Sequence, residues 1–225
     1  MSQFAAQPTP AVMPDELLYG VDGAIATVTL NAPQRMNTIS GPMLKQLTEA
    51  LVRASEDPVV RVVILTGTGR AFCAGLNLEA QSKGKDNLSV GSGATPTNID
   101  LRNTPPPVLH AMDKPVIAAL NGSAAGYGLD LALGADIRVM GQSAKLAASY
   151  AKRGVLPESG GTWYLPRMLG WAKAAELIFT GRTLSADQSL EIGLVNKVVA
   201  DADVMGAARE LALEIAANAP LAIQA

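Results

Sequence analysis

The alternation of apolar and polar positions along the chain predicts strands that alternate with helices. Residues 17–19 and 24–30 are largely apolar and flank the dipeptide Asp22-Gly23, a pattern that predicts a β-hairpin. Continuous apolar runs predict strands buried on both faces of a sheet. These runs are residues 59–66, 116–120 and 137–140. With helices between them, such strands indicate an α/β fold with a mainly parallel sheet.

The same pattern predicts helices that begin at recognisable caps. Ser40 precedes a helix reaching to about residue 55, whose apolar face carries Met43, Leu47, Leu51 and Ala54. Further helices are predicted over 129–133, after the capping-box spacing of 185–188, and over 202–217. A short strand is predicted at 195–199, and glycine-rich loops at 67–78 and 121–128.

Composition narrows the function to small-molecule chemistry. The 225 residues are 48% apolar and 17% charged, which is enough apolar residue to bury a core. A formal net charge of −2 with no basic run argues against nucleic-acid binding. One cysteine and one histidine exclude a disulfide framework and make a cysteine- or histidine-based metal site improbable.

The sequence shows neither the pattern of a secretory signal nor that of a membrane span. Residues 1–14 are rich in Ala, Pro and Gln and lack the pattern of a secretory signal, so we expect a flexible arm. No run of 18 apolar residues predicts a membrane span, and a cytoplasmic location is the expectation.

Generic catalytic motifs are incomplete in this sequence. A glycine pattern beginning at Gly126 has Leu131 where a dinucleotide fingerprint needs its third glycine. Pro157 stands where a serine elbow needs glycine. His110, the histidine that a serine triad would require, is expected to be a surface or packing residue of a helix.

Two glycine-bearing segments that follow buried strands remain, at 71–78 and 121–130. Where a loop enters a helix, backbone N–H groups lack partners in the helix and attract negative charge. Two such loops side by side would form an oxyanion hole for a carbonyl that becomes an enolate. The alternative is that the glycines only allow helices to pack closely on a sheet.

The residues of these segments resemble a known family. FCAGLNL at 72–78, KPVIAALNG at 114–122 and AGYGLDLA at 125–132 resemble motifs of the crotonase superfamily, in its enoyl-CoA hydratase/isomerase family. ADIR at 135–138 and GVLPESGGTWYLPR at 154–167 continue the likeness, which extends over about 17–223. The last motif is similar to enoyl-CoA isomerase and ring-1,2-epoxyphenylacetyl-CoA isomerase members.

The resemblance implies an α/β fold with a crotonase-type ββα spiral core and a helical C-terminal region. The core would span 15–200, and 201–225 would begin the C-terminal region, which we expect to be incomplete in this sequence. The family also implies acyl-CoA thioester substrates and assembly into trimers or hexamers. Coenzyme A would be part of the substrate, with no other cofactor and no metal, nucleic-acid or membrane partner.

The resemblance also assigns binding positions. The oxyanion-hole N–H groups fall on Leu76, which follows Gly75, and on Tyr127, which follows Gly126. We expect the substrate to contact the side chains or backbone of Arg35, Met36, Ala74, Gly75, Gly126 and Tyr150, with Arg35 and Met36 near coenzyme A.

Three further positions bear on the reaction. Hydratases of the family use two glutamates, and here the first position is Asp130 and the second is Tyr150. Glu158 stands where several isomerases of the family carry their acidic residue. One carboxylate can remove a proton from a thioester and return it to another carbon. We expect Trp163 and Leu156 to raise the pKa of Glu158 by excluding water.

Three interpretations follow. An isomerase would use Glu158 as the proton shuttle, whereas a hydratase would use Asp130 and Glu158 together to activate water. A non-catalytic acyl-CoA-binding protein is the third. The structural alternatives are that Glu158 only caps the next helix, and that Asp130 only orients water or Tyr150 or bonds a backbone group.

Overall fold

A computed structural model describes residues 15–77, 104–157 and 159–223, whose strands lie in two sheets. The predicted arm at 1–14 and Glu158 lie outside the described residues. The strands are β1 (Leu17–Asp22), β2 (Ile25–Leu30), β3 (Val62–Gly67), β4 (Ala71–Cys73), β5 (Val116–Leu120), β6 (Ser123–Ala125), β7 (Ile137–Gly141), β8 (Lys145–Ala147), β9 (Thr183–Ser185) and β10 (Lys197–Val199). The helices are α1 (Gly41–Glu56), α2 (Pro105–Ala111), α3 (Tyr127–Leu133), α4 (Tyr150–Arg153), α5 (Gly161–Leu169), α6 (Trp171–Thr180), α7 (Ala186–Glu191), α8 (Val204–Ala216) and α9 (Pro220–Ile223).

The larger sheet contains the predicted hairpin and the predicted apolar strands. Within the described residues its order is β1-β2-β3-β5-β7-β10, with β1 antiparallel to β2 and the other neighbours parallel. All five residues of β5 are buried, as expected for a central strand covered on both faces. The prediction of an α/β fold with mainly parallel strands is confirmed.

Helices cover both faces of this sheet. On one face, α1 buries the predicted stripe of Met43, Leu47, Leu51 and Ala54, and the Ser40 hydroxyl caps the helix by accepting from the Met43 N–H at 3.2 Å. On the other face, α8 packs through Val204, Ala208 and Ala212 on a separate apolar cluster. Its first predicted turn is a 3₁₀ helix over Asp201–Asp203, so α8 begins two residues later than predicted.

A second sheet corrects the predicted loops at 67–78 and 121–128. Each of them contains a three-residue strand, β4 and β6 respectively, and the second sheet runs β4-β6-β8-β9 in the described chain. Strands this short show no periodic pattern, and the surrounding glycines favour a loop prediction. One glycine allows α3 to reach this sheet, since a Cβ on Gly128 would lie 2.1 Å from the Cys73 carbonyl oxygen.

The two sheets are linked by a repeated β–β–α order. In the units β5–β6–α3 and β7–β8–α4, one strand joins the larger sheet, the next joins the smaller sheet, and a helix follows. This is the expected spiral arrangement. The predicted capping box is also present, with reciprocal bonds between Ser185 and Gln188 at the start of α7. Among the described helices, none is long and apolar enough to cross a bilayer.

Candidate active site

Three chain segments leave the smaller sheet at the same edge. Strands β4, β6 and β8 are parallel neighbours, with Ala71 paired to Ser123 and Ala124 paired to Leu146. Their carboxyl ends therefore lie side by side, and the chain continues from them into residues 74–77, 126–127 and 148–150. Ligands of α/β proteins commonly bind outside the carboxyl ends of parallel strands.

A cavity of about 560 Å³ lies at this edge. That volume is within the range of small-molecule sites. It is lined by Gln34, Arg35, Met36, Thr38, Ala74, Gly75, Leu76, Asn77, Ala125, Gly126, Tyr127, Asp130, Ser149, Tyr150, Arg153, Val155, Leu156 and Ser159. The structure thus brings together, around one cavity, every site residue predicted from the sequence except Glu158, which lies outside the described residues.

Backbone hydrogen bonds hold the 74–77 segment against the loop before α1. The Ala74 N–H donates to Met36 O at 3.0 Å, the Ile39 N–H to Gly75 O at 2.8 Å, and the Asn77 N–H to Ile39 O at 2.9 Å. In this parallel bridge Ile39 bonds to the residues on either side of Leu76. The N–H of Leu76 therefore points away from Ile39.

The second backbone segment approaches the first closely. Tyr127 is the first residue of α3, where N–H groups have no acceptor within the helix. A Cβ placed on Gly75 would lie 3.1 Å from Ala125 O and 3.9 Å from Tyr127 N. Gly75 has φ +107°, a conformation that side chains disfavour, so glycine is needed here for both reasons.

A buried polar pair forms another part of the cavity. Asp130 lies in α3 and Tyr150 begins α4, and each is only 2% exposed. The Tyr150 phenol donates a hydrogen bond to Oδ1 of Asp130. Gly161 packs against the pair, since a Cβ there would lie 2.6 Å from that carboxylate oxygen and 3.0 Å from Tyr150 Oη.

Arg35 lines the cavity, yet its guanidinium is held by the protein. Nη1 and Nη2 contact the two carboxylate oxygens of Glu16 at 2.9 and 2.8 Å. Nε donates to Thr38 O at 3.1 Å, and Nη2 donates to the Ser40 hydroxyl at 3.2 Å. Burial alone would raise the pKa of Glu16, but hydrogen bonds from Arg35 and Ser40 and the charge of Arg35 lower it.

Sequence reasoning missed Asn37, which organises the loop beneath the cavity. Asn37 is fully buried with φ +54°, next to Met36 at φ +56°. Its Oδ1 accepts from the Ala32 N–H at 2.8 Å, while Nδ2 donates to Thr68 O at 2.9 Å and Ala71 O at 2.8 Å. Asparagine tolerates the left-handed conformation better than most residues, which was the available hint in the sequence.

Other expectations are resolved by exposure and contacts. Trp163 and Leu156 are 49% and 78% exposed, so the expectation that they exclude water was wrong. The ring of His110 meets Trp163 edge-on at 6.3 Å, and neither residue lines the cavity. Burial raises the pKa of Cys73 to about 12, which leaves its thiol protonated and unreactive. In the described ranges, no cluster of three or more His, Cys, Asp or Glu could hold a metal ion.

Comparisons with known proteins agree with this geometry. The family model "Enoyl-CoA hydratase/isomerase" matches residues 20–225. YngF of Bacillus subtilis (strain 168), named for the same hydratase/isomerase group, is 41% identical over 214 residues, which is 94% of this chain and 80% of YngF. The 1,2-epoxyphenylacetyl-CoA isomerase of Escherichia coli (strain K12) is 38% identical over 207 residues, covering 91% of this chain and 77% of that enzyme.

A solved structure extends the likeness to three dimensions. The carnitinyl-CoA dehydratase from Mycobacterium avium 104 superimposes with a TM-score of 0.84 at 34% identity. The superposition covers 94% of this chain and 80% of that protein. Relatives named for isomerisation and for dehydration thus match the chain to a similar degree.

Proposed function

Since the chain belongs to the enoyl-CoA hydratase/isomerase family of the crotonase superfamily, we propose that it moves a double bond along an enoyl-CoA thioester. The backbone N–H groups of Leu76 and Tyr127 bind the thioester oxygen in this proposal, and Glu158 carries the proton. Coenzyme A belongs to the substrate, and the reaction uses no further cofactor or metal.

The observation that carries the proposal is the close approach of the two backbone segments beside the cavity. The Leu76 N–H is directed away from the strand-like bridge at Ile39, and the Cβ position of the preceding Gly75 is 3.9 Å from Tyr127 N. Two donors that converge on one carbonyl oxygen stabilise the negative charge that develops there as an enolate forms. This lowers the barrier to removing a proton from the adjacent carbon.

Sequence position and the surrounding residues favour Glu158 as the proton carrier. Leu156, two residues before this position, and Ser159, the residue after it, line the cavity. Tyr150, which stands where hydratases of the family have their second glutamate, is not a carboxylate. Asp130 is buried and accepts a hydrogen bond from that tyrosine, so one of its carboxylate oxygens is already engaged by the protein.

The proposed step balances without an added reactant. The Glu158 carboxylate takes a proton from C2 of a 3-enoyl-CoA, and the electron pair spreads over C2, C3 and C4 and onto the thioester oxygen. Glu158 then returns the proton to C4, so that the double bond lies between C2 and C3. One group does both transfers, as a single carboxylate on the correct face allows.

One observation favours a second candidate, a hydratase. Asp130 is a carboxylate at the cavity, and Tyr150 fixes its orientation. Asp130 and Glu158 together would position and deprotonate water for addition to a 2-enoyl-CoA, or catalyse the reverse dehydration. The matching relatives named carnitinyl-CoA dehydratase are consistent with this second candidate.

Isotope labelling separates these candidates. The protein is incubated in D₂O with 3-hexenoyl-CoA and with crotonyl-CoA, and the products are read by mass spectrometry and chromatography. Isomerisation of the first ester without gain of water supports the proposal, and gain of one water on crotonyl-CoA supports the hydratase. Binding of both esters with neither reaction nor deuterium uptake would indicate an acyl-CoA-binding protein.

Two variants assign the proton carrier. Glu158→Gln retains the size of the side chain but not the base, so isomerisation should fall about 10²–10⁴-fold, the usual contribution of general acid–base catalysis. Asp130→Asn is the matched change at the other carboxylate and should leave most of the isomerase rate. Near-normal turnover by the Glu158→Gln variant would contradict the proposal.

We also propose that the protein assembles as trimers or hexamers, as the family resemblance implies. Trp171 and Phe179 of α6 are 74% and 73% exposed in the isolated chain. Exposed apolar patches mark surfaces that contact another protein, and we assign these two side chains of one helix to such a surface. Native mass spectrometry should give three or six times the chain mass of 23.3 kDa, and a monomer at micromolar concentration would contradict this.

A further inference from the structure

Three polar side chains occupy the part of the cavity formed by α4 and the segment after it. Ser149 precedes α4, Arg153 ends it, and Ser159 follows the next loop. Ser149 and Arg153 line the cavity from the two ends of this one-turn helix. Within the described part of the chain, no hydrogen bond or ion pair engages these two hydroxyls or this guanidinium.

Arg153 differs in this respect from Arg35, the other arginine that lines the cavity. The guanidinium of Arg35 is neutralised by Glu16 and bonded to Ser40 and Thr38. The third charged residue of the described lining, Asp130, accepts from Tyr150. Arg153 is thus the cation of the described lining whose charge no described carboxylate offsets, and the hydroxyl-bearing Ser149 and Ser159 line the same cavity.

The location of Arg153 indicates which part of a substrate it faces. Arg35 and Met36, where coenzyme A is expected, belong to the loop before α1. Arg153 lies one helical turn from Tyr150, and that tyrosine bonds Asp130 on the other cavity-lining helix. Val155 and Leu156 continue the lining with apolar side chains that suit a hydrocarbon chain. This end of the cavity accordingly faces the acyl group.

We propose that Ser149, Arg153 and Ser159 bind a carboxylate at the far end of the acyl group, so that the preferred substrates are CoA thioesters of dicarboxylic acids. A guanidinium pairs with a carboxylate through two parallel N–H···O hydrogen bonds, and the serine hydroxyls donate further hydrogen bonds to the carboxylate oxygens. The same charge repels an acyl group with a quaternary ammonium, such as carnitinyl. The inference rests on the proposed function for the placement of the thioester.

Equilibrium binding of saturated esters tests this without requiring turnover. Adipoyl-CoA and hexanoyl-CoA have the same chain length and differ in the terminal carboxylate, and isothermal titration calorimetry gives the Kd of each. We expect adipoyl-CoA to bind about 10–100-fold more tightly, as hydrogen bonds to charged groups commonly contribute. Arg153→Gln should abolish this preference while leaving the Kd of hexanoyl-CoA unchanged, and Arg153→Lys should restore part of it.

Lys152→Gln is the matched control, because Lys152 is an exposed cation of the same helix that does not line the cavity. It should keep the preference for adipoyl-CoA. Equal weakening of both esters by Arg153→Gln would mean that the guanidinium contacts the coenzyme A phosphates, and this would overturn the proposal. Equal affinity of the unaltered protein for both esters would overturn it as well. Neither result depends on isomerase activity, so a failed isomerase assay leaves this test intact.

Discussion

The phenol of Tyr150 donates a hydrogen bond to the carboxylate of Asp130, although the two residues come from different helices and both are almost fully buried. The bond joins α4 to α3 next to the cavity, and Gly161 at the start of α5 packs against both side chains. Three helices therefore meet at one polar contact. Such a contact is expected to hold the shape of the cavity as well as to set the chemistry of Asp130.

Removing the Tyr150 donor should destabilise the protein. Tyr150→Phe retains the ring but leaves the buried Asp130 carboxylate without this bond, and we expect a loss of about 1–3 kcal/mol in the free energy of unfolding. Urea denaturation measures it. In a double-mutant cycle with Asp130→Asn, a coupling energy near zero would show that the two side chains do not interact.

Asn37 is expected to support catalysis from a distance. Asn37→Asp retains the acceptor for Ala32 N–H but replaces two donated bonds with repulsion from the carbonyl oxygens of Thr68 and Ala71. The displaced loop would shift the 74–77 segment that bonds to Met36 and Ile39, so kcat on an enoyl-CoA should fall about 10–100-fold with little change in KM. Steady-state kinetics measures both constants.

A role in stability alone must be distinguished from this effect. Assays are run at a temperature where circular dichroism shows the variant fully folded, so that loss of folded protein does not lower kcat. Asn218→Asp is the control, since its Nδ2 also donates to two carbonyl oxygens but at an exposed site. If fully folded Asn37→Asp retains the parent kcat, Asn37 does not position the oxyanion hole.

Elements that depend on a local sequence pattern could be predicted, whereas contacts between residues far apart in the sequence could not. The helix α1 and the strand β5 have apolar patterns long enough to identify, and family motifs identify most of the residues that line the cavity. Asn37 was missed because one of its partners, Ala71, is 34 residues away. The ion pair of Arg35 was likewise not predicted, because its partner Glu16 lies 19 residues earlier and meets it only in the fold.

The ion pair between Glu16 and Arg35 should make stability depend on pH in acid. The folded-state pKa of Glu16 lies below its ordinary value of 4.5, so the stabilisation is complete above that pH. It is lost as the pH falls through the lowered folded-state pKa, where the native carboxylate takes up its proton. The difference in free energy of unfolding between the parent and Glu16→Gln should therefore be largest above pH 4.5 and shrink as the pH falls below it. Urea titrations at several pH values test this, and a difference independent of pH would contradict it.

Gly75 lies where the 74–77 segment approaches Ala125 and Tyr127, so a single methyl group there should impair the chemistry. Gly75→Ala places a Cβ 3.1 Å from Ala125 O on a backbone at φ +107°, and either the strain or the clash must move the loop. We expect kcat to fall by about 100-fold, as a displacement of about 1 Å can cause, with a smaller change in KM.

Gly206→Ala is the control, because a Cβ in this exposed first turn of α8 meets no atom within 4 Å. It should leave kcat unchanged and raise the free energy of unfolding by about 0.5–1 kcal/mol. Equal activity of the two variants would mean that the approach of Gly75 to Tyr127 does not form the site of charge stabilisation.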